Sequence, residues 1–175
     1  MKIEIRKLHK NDDRSSFSSG DIEIDRFFVN FAGQNQFKHK IGTTYVACMP
    51  KSNRPLGYAT VSIGSINIEN IKKKEFSKLP NYPIPILRLA RLGVDQNYQK
   101  KGLAKMLLRH ILFLALELKD KVGCVGVVVD AKKEALSFYE ALGFEILPIT
   151  FGELGIKPTP QTMFLSIKTI QKALK

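Results

Sequence analysis

No stretch of the chain approaches the roughly 18 uninterrupted apolar residues that a membrane span needs. Met1 to Leu8 alternates charge with isoleucine and leucine instead of forming the apolar core of a signal peptide. A cytoplasmic protein that avoids membranes is the expectation. Cysteine is nearly missing: Cys48 and Cys124 are too few and too far apart for a zinc site, and both fall in predicted strands, where a thiol serves as a small buried hydrophobe. His9, His39 and His110 have no ligand spacing, so no metal is expected. Neither a Walker loop, Gly-x-x-x-x-Gly-Lys-Ser/Thr, nor the three-glycine Rossmann fingerprint occurs, and there are no internal repeats or low-complexity tracts. Acidic residues are scarce as well. Sixteen Asp and Glu stand against 28 Lys and Arg, a formal net charge of +12. That excess suits a polyanionic partner such as nucleic acid and, equally, a soluble surface of solvated lysines.

What is present fits one domain over residues 1–175, with 44% apolar residues to build its core. Lys2 to Leu8 reads as a first strand. A helix comes next, capped by Ser19 or Asp21, with Ile24, Phe27, Phe28, Phe31 and Ala32 as its apolar face and Lys38 and Lys40 at its C-terminal end. Thr43 to Met49 and Leu56 to Ile63 form a hairpin. Asn67 to Pro85, with a lysine triplet and three prolines, reads as a loop with at most one helical turn that could serve as a substrate-facing lid. Ile84 to Val94 is a central strand, Lys101 to Lys119 a helix, and Cys124 to Val129 a fully buried strand; together they make a crossover unit. A helix over Lys132 to Leu142 ends at Gly143. Phe144 to Leu147 and Thr162 to Ile167 complete the sheet, before a short basic helix.

The most informative segment runs from Arg91 to Ala104. The strand ends at Val94, and an apolar periodicity starts at Leu103 and continues through Met106, Leu107, Ile111, Leu114 and Leu118. Between them lies Gln99-x-x-Gly102-x-Ala104. The first amides of a helix lack intrahelical acceptors and carry the positive end of its dipole, so small residues there admit a pyrophosphate to the backbone. Lys100, Lys101 and Lys105 add cationic charge around the turn.

The turn resembles the acetyl-CoA signature of the GNAT acetyltransferase superfamily, Gln/Arg-x-x-Gly-x-Gly/Ala, with Gln99, Gly102 and Ala104 filling its three specified positions. The stretch Asp130 to Phe144, in which a helix carrying Phe138-Tyr139 ends in Gly143-Phe144, resembles the later GNAT block and comes in the same order. The resemblance implies an α+β fold: a mixed, mostly antiparallel sheet of six to seven strands, flanked by helices, whose central strands splay apart. It implies acetyl-CoA as donor, held by Leu92, Gly93, Val94, Gln99, Lys100, Lys101, Gly102, Leu103, Ala104, Lys105, Asp130 and Phe138. Within the superfamily the chain is similar to the tRNA-acetylating toxins of toxin–antitoxin pairs, through Phe17 to Phe28, Pro83 to Asp95 and Thr162 to Leu165. That likeness implies an aminoacyl-tRNA acceptor, an antitoxin partner and a homodimer. Asp130 departs from the His or Asn often found there, and Lys100-Lys101 from the usual Arg/Gly pairing.

Acetyl transfer needs a neutral amine, a polarised thioester and a proton for the departing thiolate. The resemblance places Tyr139 beside the sulfur, where a phenol with a pKa of about 10 is protonated at neutral pH and able to donate; the ordinary alternative is an aromatic packed on a helix face. Amides of Leu92 to Val94 would orient the thioester. No base stands out among Asp95, Glu134 and water, which favours an α-amine, with a pKa near 7.7 to 8.0, over a lysine. Arg88 and Arg91 interrupt an apolar strand on opposite faces and are candidates for acceptor binding or for ion pairing. Three functions stay open: acetylation of aminoacyl-tRNA, acetylation of a small-molecule or protein amine, and a non-enzymatic module that senses acyl-CoA or binds nucleic acid.

Overall fold

The computed structural model describes residues 1–67, 76–147 and 160–174. Seven strands form one sheet in the order β1-β2-β3-β4-β5-β7-β6, a mixed arrangement with helices at its flanks. Residues 1–62 with 89–113 form one compact group, and residues 63–88 with 114–175 form another.

In the first group, β1 (Glu4–Lys7), β2 (Thr43–Cys48) and β3 (Gly57–Ile66) are successive antiparallel neighbours, with Glu4 opposite Cys48 and Thr43 opposite Val61. The expected hairpin is β2–β3, turned through Lys51 at φ 63°. β1 is an edge strand, and its charged residues have work beyond solubility. Arg6 donates two hydrogen bonds to the Asp12 carboxylate, at 2.9 and 2.8 Å, and a third to the Ser52 carbonyl, so β1, the loop after it and the hairpin turn are tied together.

The helix after β1 departs most from expectation. Asp21 caps it as predicted, accepting from the Glu23 and Ile24 amides. After α1 (Ile22–Arg26), however, the backbone widens into a π turn at Phe27–Phe31, tightens in α2 (Ala32–Gln34) and widens again at Asn35–His39, ending in a left-handed Lys40. A π turn inserts a residue into the helical period and rotates the side chains beyond it about the helix axis. Phe28 and Ala32 are therefore buried while Phe31, expected inside, is 43% exposed. The last-turn cations are Lys38 and His39, with Lys40 serving as the cap. The Phe28 ring stacks on Tyr58 at 4.2 Å and meets Phe17 edge-on at 4.8 Å, forming the nucleus of a core with Leu8, Val46 and Cys48. Fully burying one such side chain is worth about 1.5–3 kcal/mol.

β4 (Ile84–Val94) and α3 (Leu103–Lys121) carry the signature turn between them. The buried stripe of α3 is Leu103, Leu107, Leu108, Ile111 and Ala115; Met106, expected on it, is 39% exposed because its position lies at the edge of the stripe. In the second group, β5 (Gly126–Ala131) pairs antiparallel with β7 (Gln161–Ser166), which also pairs with β6 (Glu145–Ile146). β7 thus lies between β5 and β6, and its unbroken burial from Thr162 to Ser166 reflects a neighbour on each side. Ile66, Phe76, Ile84, Ile86, Val128, Leu147 and Phe164 form its core. The helix expected over 132–142 is a 3-10 turn, Lys133–Ala135, continued by α4 (Leu136–Ala141), and α5 (Ile167–Ala173) closes the chain. Of the lid expected over 67–85, residues 68–75 lie outside the described residues, and Ile84 and Pro85 belong to β4.

Burial raises the Asp12 pKa, but the Arg6 pair and the His9 amide outweigh it and hold the carboxyl below its ordinary value. The folded chain therefore stays ionised here at a pH where the unfolded chain has begun to protonate, and the resulting stability is complete above about pH 4 and is lost as pH falls through that range. Arg6→Met, which leaves a buried carboxylate unpaired, is expected to lower unfolding free energy by about 2–4 kcal/mol at pH 7. Asp12→Asn should flatten the acid limb of stability against pH, both read by urea denaturation.

Candidate active site

The signature turn is pinned before the helix begins. Asp95 is 4% exposed; its two carboxylate oxygens accept from the Ser18 and Asn97 amides, and its own amide donates to the Leu56 carbonyl. The Gln96 amide donates to the Ser18 carbonyl, at the start of a 3-10 turn over Gln96–Tyr98. The Gln99 side-chain amide donates to the Ser19 and Val94 carbonyls, at 2.8 and 3.0 Å. Asp95 is thereby a structural anchor with both oxygens occupied, and the basic role considered for it does not fit.

Beyond Gln99 the backbone turns through Lys100 at φ 62° and Gly102 at φ 86°. At Gly102 two facts coincide. The left-handed conformation favours glycine, and a Cβ there would meet nothing within 4 Å, so the backbone faces open space. The first helical hydrogen bond of α3 runs from the Met106 amide to the Gly102 carbonyl. The amides of Leu103, Ala104 and Lys105 come before it and have no intrahelical acceptor. Buried Leu103 and Leu107 fix the helix beneath them, and Lys100 and Lys105 are exposed, with no ion pair among the described residues. The Lys101 ammonium lies 5.2 Å from the centre of the Tyr98 ring. A row of free amides flanked by cations has the chemistry that suits a polyphosphate.

On β4, Leu92 and Val94 are half-buried and Gly93 is buried. A Cβ at Gly93 would collide with Ile24 and crowd Tyr58, so glycine here allows α1 to lie against the strand. The exposed Arg91 guanidinium sits 5.1 Å from the centre of the Phe27 ring and donates to the Ala90 carbonyl. Tyr58, Phe27, Ser19 and Asp25 carry no site assignment from the sequence. Tyr58 donates to the Ile24 carbonyl at 2.7 Å, and the Asp25 carboxylate accepts from both the amide and the hydroxyl of Ser19. The run from Phe17 to Phe28 marks the segment but not these pairings, which depend on the π turn.

The second group holds the other site residues. Tyr139 is 5% exposed, its ring edge-on to Phe138 at 5.1 Å and to Phe144 at 5.3 Å, with Phe138 half-buried. Its hydroxyl makes no hydrogen bond among the described residues, yet it is not sealed from solvent. Burial pushes the phenol above its ordinary pKa. Asp130 and Arg88 form an ion pair at 2.8 Å, and Thr162 donates to the other Asp130 oxygen at 2.8 Å. One of the two strand arginines thus has an acidic partner. Glu134 is exposed, and its carboxylate makes no hydrogen bond among the described residues.

A model of the acetyltransferase (GNAT) domain matches residues 40–146. The chain belongs to the GNAT acetyltransferases. It is an acetyl-CoA-dependent acyltransferase. This acetyltransferase is similar to the tRNA-acetylating toxin of Mycobacterium tuberculosis, with 30% identity over 144 residues, 82% of this chain and 84% of that protein. Among solved structures, AtaT complexed with acetyl-methionyl-tRNAfMet shares 25% identity and a TM-score of 0.85 over 99% of this chain and 100% of that one. AtaTR bound with AcCoA shares 25% identity and a TM-score of 0.80 over 99% and 98%. Among the described residues no group of side chains could hold a metal ion and no helix is long and apolar enough to cross a membrane.

Gly102→Val places a β-branched side chain in a left-handed conformation and in the open space above the free amides. Calorimetric titration is expected to show at least tenfold weaker binding of coenzyme A, a loss of about 1.4 kcal/mol, with the thermal midpoint lowered by only a few degrees.

Proposed function

We propose that this acetyltransferase moves an acetyl group from acetyl-CoA to the α-amine of an aminoacyl-tRNA and acts as a toxin restrained by an antitoxin. The observation that carries the chemistry is Tyr139: a phenol whose burial keeps it protonated and whose hydroxyl has no hydrogen-bond partner among the described residues. The acceptor is supported by the 30% identity with the tRNA-acetylating toxin and by a net charge of +12.

In this reading the free amides at Leu103, Ala104 and Lys105, with Lys100, Lys101 and Lys105 around them, hold the diphosphate, while Phe138 and the Asp130 end of β5 face the pantetheine arm. Amides of Leu92 to Val94 orient the thioester carbonyl. The neutral amine attacks the carbonyl carbon, the carbon–nitrogen bond forms and the carbon–sulfur bond breaks. The nitrogen releases its proton to water, and the Tyr139 hydroxyl gives a proton to the leaving thiolate. An α-amine with a pKa near 7.7 to 8.0 is substantially neutral without help, whereas a lysine near 10.4 is not. Arg91, exposed and braced on Phe27, meets the acceptor end of the tRNA; Arg88, paired with Asp130, lends shape more than charge.

The chain works as a single acetyltransferase domain, assembles as a homodimer, and acts in the cytoplasm, where charged tRNA is found. The antitoxin would cover the basic site with an acidic or apolar segment that orders on binding.

Incubation with labelled acetyl-CoA should transfer label to charged tRNA and leave uncharged tRNA unlabelled. Label appearing only on free amines or on protein would replace the tRNA reading with that acceptor, and no label on any amine would remove the enzymatic one. Tyr139→Phe should cut kcat by about 10²-fold or more while leaving the affinity for acetyl-CoA within a factor of about two, the pattern of a group that acts only in the transition state.

A further inference from the structure

Gln99 occupies the first position of the signature, where a polar side chain invites the reading of a phosphate ligand. The hydrogen bonds say otherwise. A primary amide has two N–H donors, and those of Gln99 are directed to the carbonyls of Ser19 and Val94. What remains is the amide oxygen, an acceptor that offers a phosphate oxygen nothing.

We propose that Gln99 is a positioning residue that ties the loop at residues 17–21, and through it α1, to the coenzyme turn, so that filling the turn sets the elements that support Arg91. Four observations within one compact group converge on this tie. The loop is held to the turn at two further points, the Ser18 amide on Asp95 and the Gln96 amide on the Ser18 carbonyl, and the Gln96 side chain lies close over left-handed Gly20, its nitrogen 2.7 Å from where a Cβ would be. Ser19, which receives the Gln99 bond, is itself locked by Asp25, its amide at 2.8 Å and its hydroxyl at 2.6 Å. Asp25 belongs to α1, whose cap is Asp21 and whose Ile24 carbonyl accepts from Tyr58. α1 in turn lies against β4 through Ile24 at Gly93, and Phe27, in the adjoining π turn, braces Arg91.

The chain of contacts therefore runs from turn to Gln99, Ser19, Asp25 and α1, and ends at Gly93 and Arg91. A coenzyme that fixes the turn also fixes the loop, and by linkage an acceptor that fixes α1 strengthens coenzyme binding. Only the kinetic part of this rests on the aminoacyl-tRNA reading.

The test compares wild type with Gln99→Met, which keeps the reach of the side chain and removes its donors. Hydrogen exchange is monitored with and without coenzyme A. In wild type, coenzyme A should slow exchange of the amides at residues 18–28; in Gln99→Met that protection should disappear, while coenzyme A affinity changes less than about threefold and acceptor KM rises roughly tenfold. Asp25→Ala should reproduce the loss, and the double variant should be no worse than either single one, because both cut one path. Protection at 18–28 that persists in Gln99→Met, or that coenzyme A never produces in wild type, overturns the proposal. So does a tenfold loss of coenzyme A affinity with protection intact, which would make Gln99 a plain ligand. Failure of charged tRNA to accept label would leave the exchange and affinity results standing and would count against the acceptor alone.

Discussion

The free amides of Leu103, Ala104 and Lys105 are the feature that the rest of the structure arranges itself to present. A helix end is attractive to an anion only if it is held still and left uncovered. Holding is done from both sides: by Leu103 and Leu107 in the core beneath, and by Asp95, Gln96 and Gln99 fastening the preceding turn to residues 18, 19 and 56. Leaving it uncovered falls to Gly102, with open space where a side chain would stand. Each fastening bond contributes only about 1 kcal/mol net, but together they remove the freedom that would otherwise be lost at the moment of binding.

Chemistry and binding are assigned to different kinds of residue. The turn offers free backbone amides and exposed lysines. The candidate acid, Tyr139, is set among Phe138 and Phe144, where low polarity holds its proton on. Three nearby carboxylates are committed elsewhere, Asp95 to capping, Asp25 to Ser19 and Asp130 to Arg88 and Thr162, while Glu134 is exposed.

Much of this is legible in the sequence because it depends on local periodicity. The turn, the α3 stripe around Leu103, Leu107 and Ile111, the β2–β3 hairpin and the Asp21 cap all arise from spacing within a few residues. The features that escape are non-local or break a period. A 3.6-residue repeat places Phe31 inward, and the π turns interrupt that repeat; Met106 lies at an edge that only the packed helix defines. Placing β7 between β5 and β6 requires knowledge of strand order, which alternation alone does not contain. Gln99 is conspicuous by position, yet its actual partners, 80 residues and five residues away, cannot be read from the motif. Tyr58 lacks any signal, since an aromatic in a buried strand is ordinary until a carbonyl is found at its hydroxyl.

The setting of Tyr139 bears on how the enzyme responds to its surroundings. A phenol lifted above its ordinary range stays un-ionised under all conditions a cell tolerates. An acid in that setting is silent to acidity, which leaves the nucleophile to sense it. The reaction's dependence on acidity would then be a signature of whatever amine is being modified, a fingerprint of the acceptor written into the kinetics of the enzyme.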